Sequence, residues 1–418
     1  MKLCLVTPPS PFLLDERVFM HIGILKIAAV LEQKGYKVDF LDLSAVKNYM
    51  QVIKDYVETN KECELTVGLT ATTPQVPYAV KIGKFLKGKV KRTILGGPHI
   101  TLMSAASKRE KKKNFEGSDR AKKDVEKLYA IFDVLVCGDG EHAIFEALKL
   151  DRGVVDADDR KSVLFLKNSD LTEMPFPARH LVDMESYKYF IEGERATSLI
   201  AQLGCPFKCT FCSGRNSPFL RKIRSRSTES IVSELEHLYL KYGIKGFMFY
   251  DDELNVNKQM IPLMKEIINL QKKHKTEFML RGFVKAELFN EEQAEVMYDA
   301  GFRWLLTGFE SGDENILFNI RKNAARDDNS KAVEAAKKHG LKVKALMSIG
   351  HAGESPETIE NTKKWLLEVK PEDFDCTIIT TYPGSPYFDD AVRNGNHYTY
   401  TDKVNGARLH QAQLDYCV

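Results

Sequence analysis

Short apolar runs alternate with segments of helical period along the first third of the chain. Lys2–Val6 reads as a short apolar strand, Ile22–Lys34 carries apolar residues at helical spacing, and Gly35 stands where a C-cap belongs. Val38–Leu43, Leu65–Ala71, Thr93–Gly96 and Val134–Cys137 read as further short buried strands. Strands separated by helices predict an α/β fold with a doubly wound, Rossmann-like parallel sheet over residues 1–150. Ligands of such sheets sit beyond the carboxyl ends of the strands. Gly96-Gly97-Pro98-His99 and Gly138-Asp139-Gly140-Glu141 both follow strands in this way. Residues 151–195, with Pro175-Phe176-Pro177 and few periodic runs, read as a connector.

From Ala196 the alternation resumes at a longer period. The predicted strands are Thr197–Gln202, Gly246–Tyr250, Phe278–Phe283, Trp304–Phe309, Val343–Ile349 and Thr377–Thr381, with helices between them such as Thr228–Tyr242 and Glu291–Ala300. Six such units predict a partial, open (β/α)6 barrel of TIM type over residues 196–390, its chemistry at the carboxyl mouth. Residues 391–418 remain as a short C-terminal tail carrying Tyr398, Tyr400, His410 and Tyr416.

Composition narrows the class. A chain of 418 residues suits two or three domains, and 43% hydrophobic with 28% charged residues suits buried cores under a polar surface. The net charge of +3 makes no general case for nucleic acid or an acidic membrane. Lys108–Lys127 holds nine Lys or Arg, but Glu110, Glu116, Asp119, Asp124 and Glu126 are interspersed, so it reads as a solvated loop and helix. The apolar run before Pro8-Pro9 is too short for a signal peptide, and no uncharged apolar stretch approaches the ~18 residues of a membrane span. A cytoplasmic location is expected. Of eight cysteines, Cys4, Cys63, Cys137, Cys376 and Cys417 are scattered, whereas Cys205, Cys209 and Cys212 are bunched. A reducing compartment and a metal site fit that pattern better than a disulfide scaffold.

Cys205-Pro-Phe-Lys-Cys209-Thr-Phe-Cys212 directly follows a predicted strand. Three thiolates on one loop can bind three irons of a cubane and leave the fourth open, as a catalytic site requires. Structural zinc wants a fourth ligand close by, and His180 and His237 lie well outside the loop. Phe249-Tyr250-Asp251-Asp252-Glu253 ends the second barrel strand, although a solvated acidic turn would also account for it. Arg281 is read as ending the third strand and could equally be a surface residue.

The Cys-x3-Cys-x2-Cys spacing, with Phe211 before the last cysteine, resembles the radical S-adenosylmethionine (SAM) superfamily. The resemblance implies a [4Fe–4S] cluster on Cys205, Cys209 and Cys212. SAM on the open iron is then cleaved reductively to a 5′-deoxyadenosyl radical. It implies SAM-binding roles for Phe211, Asp251, Asp252, Arg281, Glu310, Ser311 and Gly350. The last three lie in Gly308-Phe309-Glu310-Ser311-Gly312 and Ile349-Gly350-His351-Ala352-Gly353-Glu354. Tyr382-Pro383-Gly384-Ser385-Pro386 also fits the family, at the end of the sixth strand.

The first 150 residues are similar to the cobalamin-binding domain that precedes the barrel in one branch of that superfamily. Pro8-Pro9, Gly23-Ile24-Leu25, Asp42, Thr70-Ala71 and the two glycine-rich loops carry the likeness, as does Leu171–Arg179 in the connector. It implies cobalamin held by Thr70, Thr72, Thr73, Gly96, Gly97, Gly138, Gly140 and Glu141. There is no Asp-x-His-x-x-Gly segment, so the cofactor is expected base-off without a histidine on cobalt, and His99 reads as structural. The resemblance spans roughly residues 1–390 and implies a cobalamin-dependent methyltransferase acting on an unactivated carbon. A radical cyclase or rearranging enzyme without methyl transfer is the alternative, and the short tail leaves room for a truncated, non-catalytic relative. Expected partners are a small-molecule or peptide substrate and an electron donor such as a flavodoxin or ferredoxin.

Overall fold

Leu3 and Leu5 of the first strand join one apolar core, while Cys4 and Val6 join another. That alternation is what a strand buried on both faces shows. In the computed structural model, which describes residues 2–10, 13–113, 119–390, 392–394, 397–404 and 407–411, six strands form one sheet, its inner strands buried on both faces and its two edge strands only in part. They are β1 (Lys2–Thr7), β2 (Val38–Asp42), β3 (Leu65–Thr70), β4 (Arg92–Gly96), β5 (Val134–Gly138) and β6 (Gly153–Ala157), all parallel in the order β2-β1-β3-β4-β5-β6. The helices α1 (Ile22–Gln33) and α6 (Gly140–Ala147) cover one face. The other is covered by α2 (Tyr49–Thr59), α3 (Val76–Leu86) and α5 (Arg120–Ile131), with α4 (Pro98–Lys113) leading into α5. The sheet is doubly wound, and its order reverses between β1 and β3.

The first compact unit runs to Lys188 and also takes in Asn216–Phe219; the second holds Tyr189–Arg215 and the chain from Leu220. Residues 151–188, expected in a connector, therefore pack with the first unit. The expectation missed β6 because its five residues include Gly153 and Asp156 and show no clear period. A short helix, α7 (Asn168–Glu173), follows it. The end of the unit is latched by Asp42, which pairs with Arg17 at 2.8 Å and accepts a 2.6 Å bond from the Tyr187 hydroxyl. The basic stretch is a solvated face, with ion pairs Lys123–Asp119 at 2.9 Å and Lys122–Glu126 at 3.8 Å. Among the described residues no helix is long and apolar enough to cross a membrane.

The second unit opens with β7 (Phe190–Ile191), antiparallel to β8 (Glu194–Leu199). The ribbon β9 (Gln202–Leu203) and β10 (Arg224–Ser225), with α8 (Pro218–Arg221) between, precedes α9 (Thr228–Tyr242). Then alternate β11 (Gly246–Phe249), α10 (Met260–His274), β12 (Met279–Phe283), α11 (Glu291–Asp299), β13 (Phe302–Glu310), α12 (Glu314–Asn319), α13 (Arg326–Lys338), β14 (Lys342–Ile349), α14 (Pro356–Val369) and β15 (Asp373–Ile378). The sheet reads β15-β14-β13-β12-β11-β8-β7, with six parallel strands and no pairing of β8 to β15, so the barrel is open. Phe247, Phe249, Phe278, Phe302, Phe309 and Trp365 fill the layer between strands and helices. The sixth strand starts at Asp373 rather than Thr377. Its alternating Asp373 and Asp375 hid it, since all six of its residues are exposed. Beyond it α15 (Pro386–Asp390) leads to a three-stranded antiparallel sheet of β16 (Val392–Asn394), β17 (His397–Val404) and β18 (Ala407–Gln411). The side chains of Tyr398, Tyr400 and His410, and all of Tyr416, lie outside the described residues.

Candidate active site

The cysteine loop is held at both ends. Gly204 has φ +89°, and a Cβ there would lie 2.3 Å from the Lys222 carbonyl oxygen, so only glycine lets the β9–β10 ribbon close below the loop. The Cys205 amide donates to Leu220 O (2.9 Å), and the Arg221 guanidinium donates to Pro206 O (2.6 Å) and Phe207 O (2.7 Å). Farther along, the Thr210 amide donates to Ile320 O (2.9 Å), and Phe211 packs on Ile316, Leu317 and Ile320.

Burial pushes the Cys205 thiol up to about 12 and Cys212 to about 11, opposed by amide N–H bonds from Phe207 and Gly214 respectively. Cys209 is also raised by burial, opposed by the Lys322 and Lys285 charges. Cys212 nevertheless touches solvent, so it lines a recess walled by protein. These sulfurs favour the thiolate only once a cation arrives. Among the described residues no three His, Cys, Asp or Glu side chains converge on a point that would hold one ion. A cubane takes each thiolate to a different iron, so sulfurs spaced around a loop suit it, and amide bonds to sulfur are part of how such clusters are tuned.

Above the loop lies a polar chain that the sequence did not disclose. The β13–β14 register shifts between Gly308 and Glu310, a bulge that turns the Glu310 side chain out of the strand's alternation. Glu310 itself sits at φ +66°, a left-handed conformation rare for a non-glycine residue and concentrated at functional sites. Its Oε1 pairs with the Lys322 ammonium at 3.3 Å, and its Oε2 accepts from Ser348 Oγ at 2.7 Å. The Ser348 hydroxyl is also 2.7 Å from His351 Nε2, and the His351 ring lies 5.2 Å from Phe211 of the cysteine loop. Burial lowers His351 to about 4, so the ring is neutral at physiological pH. Burial works against the charge on Lys322, yet Glu310, then Cys209 and Glu253, hold its ammonium above the usual range. Lys285 closes the circuit. Its Nζ donates to Lys322 O at 3.0 Å and lies 4.3 Å over the Phe207 ring. A Cβ on Gly308 would meet Glu310 Oε1 at 2.7 Å, so that glycine makes room for the ion pair.

The other expected SAM residues divide. Asp252 is exposed yet enclosed on most sides, and burial raises its carboxyl, opposed by the Gly204 amide. Its charge acts on the Cys205 and Cys212 thiols, and Glu253 beside it is raised by burial to about 7. Asp251 instead turns inward. Its Oδ1 accepts from the Ala201 amide at 3.0 Å and from the Gln202 amide, and burial raises it to about 7. Ser311 is also turned away, its hydroxyl 2.9 Å from Thr362 Oγ1. Gly350 has φ +93°, and its amide is tied to Glu354. Arg281 does not end its strand: Gly282 and Phe283 follow, and its guanidinium lies 5.9 Å over Trp304, near the start of β13, rather than beside Glu310 at that strand's end.

In the first unit Thr72 Oγ1 donates to Gln75 Oε1 (2.9 Å) within its own turn, and Thr73 Oγ1 is 3.1 Å from the buried His99 ring, tying that turn to the start of α4. Gly97, at φ +102°, would place a Cβ 2.6 Å from Thr70 Oγ1 and 2.7 Å from the Ala71 amide. Gly138, at φ +87°, would place one 2.5 Å from Ala157 C. Both glycines are thus demanded by backbone packing within the sheet. Gly96 is different, with nothing nearer its Cβ position than 3.8 Å, and at Gly140 the nearest atom is the end of the Ile27 side chain. Glu141 lies in the first turn of α6.

Residues 199–366 match the Radical SAM superfamily, a span that contains the cysteine loop, Glu310, Lys322 and His351. This chain carries a radical SAM domain. Over 417 residues it is 27% identical to an uncharacterised methyltransferase of Pyrococcus horikoshii, covering 94% of this chain and 84% of the relative. It is 23% identical to an anaerobic magnesium-protoporphyrin IX monomethyl ester cyclase of Cereibacter sphaeroides, covering 82% of this chain and 57% of that protein. Among solved structures, the radical SAM methyltransferase TsrM of Kitasatospora setae, with cobalamin and a [4Fe–4S] cluster bound, superposes with a TM-score of 0.73 at 17% identity. That match covers 96% of this chain and 81% of TsrM, a likeness of fold that includes both units of the radical SAM chain.

Proposed function

We propose that this radical SAM chain is a cobalamin-dependent methyltransferase acting on an unactivated carbon of a small-molecule or peptide substrate. The observation that carries the reading is the succession, in one chain, of a doubly wound unit and a radical SAM barrel. It is a fold shared with TsrM, whose structure holds both cofactors. A methyltransferase name on the Pyrococcus relative points the same way.

When bound, the cluster supplies the electron that breaks a sulfur–carbon bond of SAM, and cobalamin supplies a methyl carrier. The chain's own residues position both. Lys322 and Lys285 place buried positive charge beside Cys209, offsetting the charge that three thiolates bring. Glu310, fixed by Lys322 and Ser348, presents a carboxylate whose charge-assisted hydrogen bonds would orient SAM. Cobalamin fits the β1/β3 reversal, where such sheets bind ligands. The Thr7 hydroxyl is buried there without a hydrogen-bond partner, and Leu13 and Leu14 are exposed in the loop that follows. His99 is already engaged by Thr73, which speaks against that residue as a ligand in the expected base-off geometry.

The test is anaerobic reconstitution followed by turnover with methyl-labelled SAM and candidate substrates. Label in the product on a carbon without an acidic proton supports the proposal. A ring-closed product without label would favour the cyclase reading that the Cereibacter relative raises. Absence of 5′-deoxyadenosine from fully loaded protein would leave a non-catalytic chain. Electron paramagnetic resonance of bound Co(II) checks the cofactor geometry, and nitrogen hyperfine from histidine would refute it.

A further inference from the structure

The outer surface of the cysteine loop is hollowed. A recess of about 670 Å³ is floored by Pro206 and Phe207, walled by Leu317 and Phe318, and rimmed by Lys208 and Arg321. Phe318 is 83% exposed, an unusual state for a phenyl ring at the end of a helix whose other face is packed. The rim charge is concentrated. Arg215 feels the positive charges of both Arg221 and Arg321, and its Nε is buried without a hydrogen-bond partner. The one acidic wall residue, Glu314, accepts from the Arg326 amide at 2.8 Å. Arg321 and Asn323 both hold positive φ, +52° and +62°, on either side of Lys322. This twist sends Lys322 inward to Glu310 and leaves its neighbours facing outward.

Two features converge here. Pro206, Phe207 and Lys208 are the residues between Cys205 and Cys209, so nothing but the loop itself separates the recess from the cluster ligands. An apolar floor ringed by cations is complementary to an acidic protein surface, and such charge patterns steer encounter. We propose that this recess is the docking site of a small acidic carrier protein that delivers single electrons to the cluster, seating against Phe318 under the Lys208 and Arg321 rim. The step moves one electron. The carrier's reduced centre is oxidised by one, the cluster is reduced by one, and no bond forms or breaks. The inference rests on the radical SAM reading and adds where its reductant binds.

The experiment uses the reconstituted holoprotein and a flavodoxin hydroquinone as probe, with dithionite as a small reductant that needs no docking. Lys208→Glu combined with Arg321→Glu should weaken flavodoxin binding at least about tenfold and flatten its salt dependence. Cluster reduction by flavodoxin, followed by stopped flow, should slow by the same factor, while reduction by dithionite stays unchanged. Phe318→Ser should weaken binding without altering the salt slope, and Lys54→Glu, an exposed change in the first unit, should do nothing. Unchanged flavodoxin affinity in both recess variants would overturn the proposal. So would an equal loss of dithionite reduction, since the residues would then support the cluster rather than receive a carrier. A wild-type cluster that dithionite cannot reduce would instead strike the radical reading itself.

Discussion

Glu310 is tied to Lys322 and Ser348 from a left-handed backbone, and its replacement is therefore felt twice. Glu310→Gln keeps the shape but leaves the Lys322 ammonium, only 7% exposed, without its charge partner. Breaking one side of a buried pair costs about 3–5 kcal/mol, so the apo-protein should melt markedly lower. SAM affinity should also fall about ten- to a hundredfold if the carboxylate bonds the substrate. Adding Lys322→Gln should recover much of the melting temperature but none of the affinity, a separation that calorimetry and SAM titration can read. Asp251 makes the opposite kind of prediction. Burial raises it to about 7 from its usual 3.8. Its contribution to stability is therefore complete below the unfolded value and is lost as pH rises through about 7. Asp251→Asn keeps an oxygen for the Ala201 and Gln202 amides and removes that loss. Its melting temperature relative to wild type should rise from pH 5 to pH 8; a constant difference would mean the carboxyl is ionised throughout.

Among the elements, the glycine loops of the first unit act first on folding. Gly97→Ala and Gly138→Ala both set a Cβ against backbone atoms at positive φ, and each should destabilise the apo-protein by about 1–3 kcal/mol. Gly96→Ala should stay within about 0.5 kcal/mol. Thermal unfolding in the absence of cofactors separates these from any effect on ligand binding. Gly97→Leu would damage the sheet before it reported on cobalamin. The contrast shows what the chain could disclose by reading. The cysteine triad was legible because iron needs its thiols on one short loop, and the first five barrel strands were legible because each carries buried apolar residues, whereas the sixth, exposed throughout, was read four residues late. The roles of Lys322, Lys285 and His351 were not legible, since Lys285 meets Lys322 only across 37 residues, and Lys322 and the Ser348–His351 pair meet through Glu310, which a bulge no pattern announces turns toward them. Arg281 was placed in the mouth although it stands two residues short of Phe283, the strand end that the apolar run already reached. Gly97 and Gly138 looked like cofactor glycines for the reason they are glycines at all, a crowded backbone.

For the molecule as a whole, the division into two compact units has a direct test. Cys209→Ala should abolish the intact cluster and 5′-deoxyadenosine formation. It should leave hydroxocobalamin binding unchanged within about twofold, an effect well below the 1.4 kcal/mol of a tenfold change. Iron assay and absorbance titration on the same preparation decide it. Loss of cobalamin binding together with iron would mean that the two units do not fold and bind separately.

The sixth barrel strand, β15, carries a last consequence. Among the described residues it pairs with β14 alone, and all six of its residues, Phe374 and Ile378 included, are exposed. Its free N–H and C=O groups form a template on which another chain could stack. Asp373 and Asp375, each bonded to Lys344 at 2.8 and 2.9 Å, are what keep that rim wet. Shelf life in concentrated solution therefore hinges on two carboxylates remote from any chemistry. Asp373→Asn combined with Asp375→Asn should turn a clear concentrated preparation turbid, read by light scattering, while iron loading of the cluster loop is unchanged.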